Sequence, residues 1–130
     1  MSITYQDFSD LSEIEDSELQ GQCENHGLST FVVAFIGEEP AAVFALDNNP
    51  HNQHAVLYRI WVKMKYRRQG IARDILRFSE EWAKDRNLIA LQGTPRPLGD
   101  SIPRPSLIAF YEAAGYDRVD GAQEVWRKSF

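Results

Sequence analysis

The sequence predicts a single α/β domain, a mixed sheet with helices packed on it. Three observations carry this. Segments rich in β-branched and aromatic residues, such as Ser29–Ile36 (STFVVAFI), read as strands, while Gly70–Asn87 places its apolar residues at helical spacing. The two kinds of segment are interleaved, with no internal repeat and no low-complexity tract. Finally, Val56–Gln92 reads strand, helix, strand, a unit whose strands lie parallel with a right-handed crossover. The 130 residues suit one domain over 1–130, with a short N-terminal region over about residues 1–28.

In chain order, Ser2–Phe8 alternates and predicts a short first strand. Ser9–Gln20 predicts a helix that Ser9 or Asp10 can cap, with Leu11, Ile14 and Leu19 as a thin apolar stripe. Gly21–Gly27 is polar and reads as a loop. Ser29–Ile36 and Ala41–Leu46 (AAVFAL) form a hairpin across the turn residues Gly37-Glu38-Glu39-Pro40. Asp47–Asn52 (DNNPHN) reads as another turn, and His54–Val62 (HAVLYRIWV) as a long central strand. Period 3.6 then takes over: Ile71, Ile75, Phe78 and Trp82 share a face, and Asn87 can end the helix in a left-handed conformation. Leu88–Gln92 is a short buried strand, and Gly93–Pro105 is a loop holding four of the six prolines. Pro105 suits the first turn of a helix through Ser106–Ala114, with Gly115 as its stop. Tyr116–Val119 and Glu124–Lys128 predict a closing hairpin around Asp120-Gly121.

Composition narrows the class. Hydrophobic residues make up 43% and charged residues 25%, which is a globular balance rather than a disordered one. No apolar run is long enough to span a membrane, and the start, Met1-Ser2-Ile3-Thr4-Tyr5-Gln6, has neither the basic nor the apolar region of a secretory signal. Cys23 is the only cysteine, so a disulfide-stapled secreted domain is excluded, and the expected location is the cytoplasm. Residues 1–58 carry ten acidic residues and no Lys or Arg, whereas the remaining 72 carry all 14 basic residues against nine acidic ones. Charges of −10 and +5 on the two parts predict an anionic ligand at the basic half and a cationic one near the acidic half. The net charge of −5 argues against a tight nucleic-acid binder. His51-x-x-His54 offers too few ligands for a metal site, and Cys23 has no basic neighbour to activate it.

The chemistry concentrates where the third strand meets the long helix, Val62-Lys63-Met64-Lys65-Tyr66-Arg67-Arg68-Gln69-Gly70-Ile71-Ala72. A helix start presents unpaired N–H groups beside the positive end of the helix dipole. Gly70 removes a side chain where an anion must come close, Ala72 keeps the helix tight, and Lys63, Lys65, Arg67, Arg68 and Arg73 add positive charge. A pyrophosphate needs this combination.

A strand, then R-x-x-G-x-A filled by Arg67, Gly70 and Ala72, then a long amphipathic helix resembles the acetyl-CoA signature of the GNAT superfamily of N-acyltransferases. Val62 and Tyr66 also fit its V-x-P-x-Y-R pattern, with Met64 in place of proline. Ala109-Phe110-Tyr111-Glu112-Ala113-Ala114-Gly115-Tyr116 is similar to its C-terminal A-x-x-F-Y-x-x-x-G-F/Y segment, and the likeness covers about residues 29–130.

The resemblance implies a central, mostly antiparallel sheet with helices on both faces and a splayed parallel strand pair at the acetyl-CoA site. Acetyl-CoA would lie against Ile60, Trp61, Val62, Arg67, Arg68, Gln69, Gly70, Ile71, Ala72, Arg73, Arg104 and Tyr111. Backbone N–H groups near Trp61 or Val62 would polarise the thioester carbonyl. Tyr111 fits the family tyrosine that protonates the departing thiolate. Relatives often carry asparagine where Arg104 stands, and many place a glutamate base at the position of Val56. With that carboxylate missing, His54, Tyr58, a carboxylate from Asp7–Glu18 or water alone remain as routes for the amine's proton. The implied activity is acetyl transfer to a small cationic amine, a polyamine, or a protein lysine or N-terminus, without a metal. The alternative is a non-catalytic CoA-binding or interaction module on the same fold. Val125, Trp126 and Phe130 of the closing hairpin are the residues through which a homodimer would form.

Overall fold

A computed structural model describes residues 2–23, 29–49, 51–94, 104–119 and 125–130, residue 104 by its backbone alone. Its strands are β1 (Ile3–Phe8), β2 (Thr30–Ile36), β3 (Glu39–Asn49), β4 (His54–Val62), β5 (Ala90–Gly93), β6 (Asp117–Val119) and β7 (Val125–Ser129). Its helices are α1 (Ser17–Gln20), α2 (Ile71–Asp85) and α3 (Arg104–Ala113). The strands form one sheet in the order β1-β2-β3-β4-β5-β7-β6. Among the described strands only β4 and β5 run parallel, joined through α2 as the strand–helix–strand pattern requires.

Side-chain alternation divides the core between the two faces. One face carries Val32, Ala42, Phe44, Ala55, Leu57 and Leu91, packed under Ile71, Ile75, Leu76 and Trp82 of α2 and Tyr111 of α3. The other carries Phe31, Val33, Val43 and Ala45 under Leu11, Ile14 and Leu19. Burying each such side chain contributes about 1.5–3 kcal/mol, so both layers hold the sheet. At the outer edge Tyr5 stacks on Phe78 with centroids 4.1 Å apart and donates a hydrogen bond to Asp74. That contact ties β1 to α2.

Residues 9–20 do not make one helix. Asp10 caps a short 3-10 turn at Leu11–Glu13 in a reciprocal capping box, and Asp16 separately caps α1 through the N–H of Leu19, 3.0 Å. Ile14 between them is extended, at φ −79° and ψ 115°, so neither turn propagates. The turn expected at 47–52 starts later, because β3 runs to Asn49 and keeps Asp47 in the sheet. Elsewhere the breakers act as read: Asn87 has φ 59° after α2 and Gly115 φ 89° after α3. The expected turn at Asp120-Gly121 lies outside the described residues, as does most of the loop 93–105. Of the three residues expected at a dimer surface, Trp126 is buried in the core, Val125 is half-buried and Phe130 is exposed.

Candidate active site

The site begins where two neighbouring strands part. The parallel ladder between β4 and β5 pairs His54 with Ala90 and ends at Leu57 with Gly93. Tyr58–Val62 continues without a described β5 partner. Just past the parting, Val43 of β3 pairs with Trp61 while Ala45 pairs with Tyr58, so two steps on β3 face three on β4. The extra residue is a β-bulge, and Arg59 sits in it at φ 53°. The bulge reverses the later alternation: Tyr58 stays on the α1 face, Trp61 joins it there, and Ile60 and Val62 turn to the α2 face. Plain period-2 reading of HAVLYRIWV does not reveal this, and no residue of the strand announces it.

At the far end of β4 the chain turns into α2. Met64–Tyr66 form a 3-10 turn, Arg68 has φ 64° and Gly70 φ 81°. Two left-handed residues so close together turn successive N–H groups toward one point, a concavity suited to anions. The first helical bond runs from the N–H of Asp74 to Gly70, 3.1 Å, which leaves Ile71, Ala72 and Arg73 without helical acceptors, and no side chain caps the helix. A Cβ on Gly70 would meet nothing within 4 Å, so the space in front of the turn is open. The donor set therefore fits a phosphate group.

The positive side chains here divide into two groups. Lys63 is bound to Asp16 at 2.5 Å, and Lys65 to Glu39 at 2.5 Å, the residue that also accepts from Tyr66. Arg67 donates Nε to the carbonyl of Val62, 2.8 Å, with its guanidinium 4.7 Å from the Trp61 ring centre. It pins strand to turn. Gln69 likewise donates to the Lys65 carbonyl, 3.0 Å. Among the described residues Arg68 and Arg73 have no ion pair and are exposed. Arg104 begins α3, and its side chain lies outside what is described.

Tyr111 lies at the other end of the parting. It is 5% exposed, and its hydroxyl is 2.5 Å from where a Cβ on Gly93 would stand. Burial pushes its phenol up to about 12, so it holds its proton throughout the neutral range. Phe110 and Tyr116 pack edge-on against it, each with centroids 5.5 Å away. Gly93, the last residue of β5, was legible only as the start of a loop.

The two candidate proton acceptors sit differently. His54 is three residues before the parting, with Nδ1 3.1 Å from Oε1 of Gln92, an atom that also accepts from Arg127 at 3.0 and 3.2 Å. Burial, then the Arg127 charge, lowers its pKa. Tyr58 is the first residue past the parting and 38% exposed. Burial, then the neighbouring Asp47 carboxylate, raises its phenol pKa. Of the segment 7–18, Asp16 holds Lys63 and Glu18 accepts from the Trp61 indole N–H, 3.1 Å. Cys23 is buried, which pushes its thiol up to about 11. Among the described residues no group of three or more His, Cys, Asp or Glu could hold a metal, and no helix is long and apolar enough to cross a membrane.

A mixed sheet whose parallel ladder stops beside a buried tyrosine, with a glycine turn at a helix start further on, frames the candidate site. The model of the Acetyltransferase (GNAT) family matches residues 1–116, and the chain belongs to that family. Solved structures share the fold. The IAA acetyltransferase from Bacillus cereus superposes with a TM-score of 0.71 at 16% identity, over 99% of this chain and 100% of that one. A GNAT family acetyltransferase from Elizabethkingia anophelis with acetyl-CoA bound gives 0.71 at 14%, over 98% of each chain. The PaiA N-acetyltransferase from Thermoplasma acidophilum, in complex with coenzyme A, gives 0.61 at 19% over 77% of this chain, which spans only 60% of that protein. No curated protein matches the sequence.

Proposed function

We propose that the protein is one domain over residues 1–130 that binds acetyl-CoA along the open edge of β4 and transfers the acetyl group to a primary amine by direct attack in a ternary complex. One observation carries this reading. The stretch Tyr58–Val62, held by β3 on one side and without a described β5 partner on the other, has the Tyr111 hydroxyl beside its beginning and the Gly70 turn at its end. A thioester laid along that edge with its pyrophosphate at Gly70 would bring its sulfur toward Tyr111. The N–H groups of residues 71–73, with Arg68 and Arg73, would hold the phosphates, and backbone donors near Trp61 and Val62 the carbonyl oxygen. With its pKa near 12, Tyr111 is a hydrogen-bond donor to the departing thiolate, whose free form has a pKa of about 8.5. Complete transfer is favourable only as the proton leaving the attacking nitrogen replaces the one Tyr111 gives.

The acceptor we favour is a small cationic amine, a polyamine, or a protein lysine or N-terminus. Residues 1–58 carry no Lys or Arg, and a groove of about 240 Å³ on the α1 face is walled in part by Glu13 and Glu15. A lone buried cysteine suits the cytosol.

Thermal melting with and without acetyl-CoA tests the binding site, in wild type and in Gly70→Glu. At 100 times its Kd the ligand should stabilise the wild type by about 2.7 kcal/mol, several degrees in Tm. Glutamate at φ 81° is strained and places an anion where the pyrophosphate belongs, so that protein should melt lower and show no ligand shift. A folded wild type that does not respond sinks the reading.

A further inference from the structure

Side chains that lie opposite one another across adjacent strands form a row, and one row on the α1 face has an unusual content. Asp47 pairs with Val56, Val56 with Gln92, and Gln92 with Arg127. Continuing the β2–β3 register one step past Thr30 and Leu46 places Ser29 opposite Asp47. The row therefore reads Ser29, Asp47, Val56, Gln92, Arg127. Its apolar member is Val56.

The two halves of the row differ. Gln92 is engaged by Arg127 and His54. Across Val56, Oδ1 of Asp47 and Oγ of Ser29 are buried with no hydrogen-bond partner. An unpartnered carboxylate oxygen away from water costs on the order of several kcal/mol unless something fills the place. No described lysine or arginine forms an ion pair with it. Tyr58 is its diagonal neighbour, two residues past Val56 on β4, and its hydroxyl hydrogen-bonds the Asp47 carboxylate, so Oδ1 is the oxygen left over. Tyr58 is also the first residue beyond the ladder with β5. The carboxylate thus lies one strand away from the position where the thioester would become accessible from the α1 face, while Tyr111 lies on the α2 face.

We propose that Asp47, together with the Tyr58 hydroxyl, receives the ammonium group of the acceptor amine and takes its proton. This rests on the acetyltransferase reading above. One N–H proton of the ammonium passes to Asp47 and on to water. The freed lone pair forms the N–C bond to the thioester carbonyl. The C–S bond breaks with its electron pair on sulfur, and the second N–H proton replaces the one Tyr111 gives to sulfur. Amine and thioester become amide and thiol. Besides Tyr58, the titratable groups described on this face include His54 on β4, Arg127 on β7, Cys23 before β2, Arg59 in the bulge, and Glu13, Glu15, Asp16 and Glu18 of the segment packed over it, of which Asp16 holds Lys63 and Glu18 the Trp61 indole.

The test compares wild type, Asp47→Asn and Tyr58→Phe with acetyl-CoA and four amines. Spermidine, agmatine and lysine amide are cationic at pH 7, and hydroxylamine is neutral. Asp47→Asn keeps the shape but not the charge, and its Tm and acetyl-CoA shift should stay those of the wild type. Its kcat/KM for the best cationic amine should fall about 100-fold at pH 7, within the usual range for a general base. Its rate should recover as pH climbs toward the amine's own pKa of about 10. Transfer to hydroxylamine should change less than about threefold. Tyr58→Phe should raise KM for the cationic amine more than it lowers kcat. Equal losses for neutral and cationic acceptors, or an unchanged pH profile, overturn the proposal. So does a wild type that acetylates hydroxylamine but none of the cationic amines. A wild type that does not bind acetyl-CoA overturns the underlying reading instead.

Discussion

The Tyr111 hydroxyl lies 2.5 Å from the point where a side chain on Gly93 would begin, and its ring carbon Cζ lies 3.1 Å from it. A glycine here lets a buried phenol reach the place where β4 and β5 part. Gly93 is in ordinary strand conformation, so alanine would cost little in the backbone itself. It would instead push the tyrosine ring aside. Gly93→Ala should therefore lower kcat about tenfold or more with little change in KM for acetyl-CoA, and reduce stability by about 1–3 kcal/mol through overpacking. Tyr111→Phe should lower kcat by a similar factor without the loss of stability. In the double variant the two kcat effects should not add, because the hydroxyl that alanine displaces is already gone. Steady-state kinetics on the four proteins decides this, and full additivity would mean that Gly93 acts by another route.

Alkaline pH probes the same phenol. Tyr111 titrates near 12 in the folded protein against about 10 unfolded. Below pH 10 both states hold the proton and stability is level. Between about 10 and 12 the unfolded chain loses it first, so stability falls as pH rises, by roughly 2–3 kcal/mol in all from this group. Tyr5 and Tyr116 are raised as well, by burial and by Asp74 and Glu80 respectively, and steepen the same limb. Melting curves from pH 8.5 to 11.5 should show Tm dropping above about 10, with Tyr111→Phe dropping less steeply than wild type. Parallel curves for the two proteins would count against a strongly raised Tyr111.

These two residues also show where the sequence was legible. Tyr111, Gly70 and Arg67 lie in short patterns on elements whose periodicity is strong, so the fold class, the parallel strand pair and the helix start could all be read in advance. The site's finer geometry depends on registers between strands, which one strand's residues do not encode. The bulge at Arg59 exists only as a mismatch between β3 and β4. Asp47 falls in DNNPHN, six residues of turn composition, yet Val43, Ala45 and Asp47 continue the alternation of β3, and pairing with Val56 holds the aspartate in the sheet. Residues 9–20 depart from a single helix for the opposite reason: good capping residues occur twice, and each starts a turn too short to join the other. Counting basic residues near Gly70 also overstated the free charge, because partners from residues far away in sequence, Asp16 and Glu39, neutralise two of them.

Arg67 and Arg73 separate a positioning role from a ligand-holding one within that cluster. Arg67 donates to the Val62 carbonyl at 2.8 Å and covers the Trp61 ring, so it fixes how β4 enters the turn. Its replacement by alanine should lower Tm, by about 1–2 kcal/mol in stability, and weaken acetyl-CoA binding indirectly. Lysine should not rescue it, since a point charge cannot both reach the carbonyl and lie flat on the indole. Arg73, exposed in the first turn of α2 and without an ion pair among the described residues, should behave in the opposite way. Arg73→Ala should leave Tm unchanged and weaken acetyl-CoA binding about five- to tenfold at low salt. Most of that difference should vanish at 1 M salt, where the screening length is about 3 Å. Titration calorimetry at two salt concentrations, beside ligand-free melting curves, measures both effects. A salt-sensitive loss in Arg67→Ala with no change in Tm would exchange the two assignments.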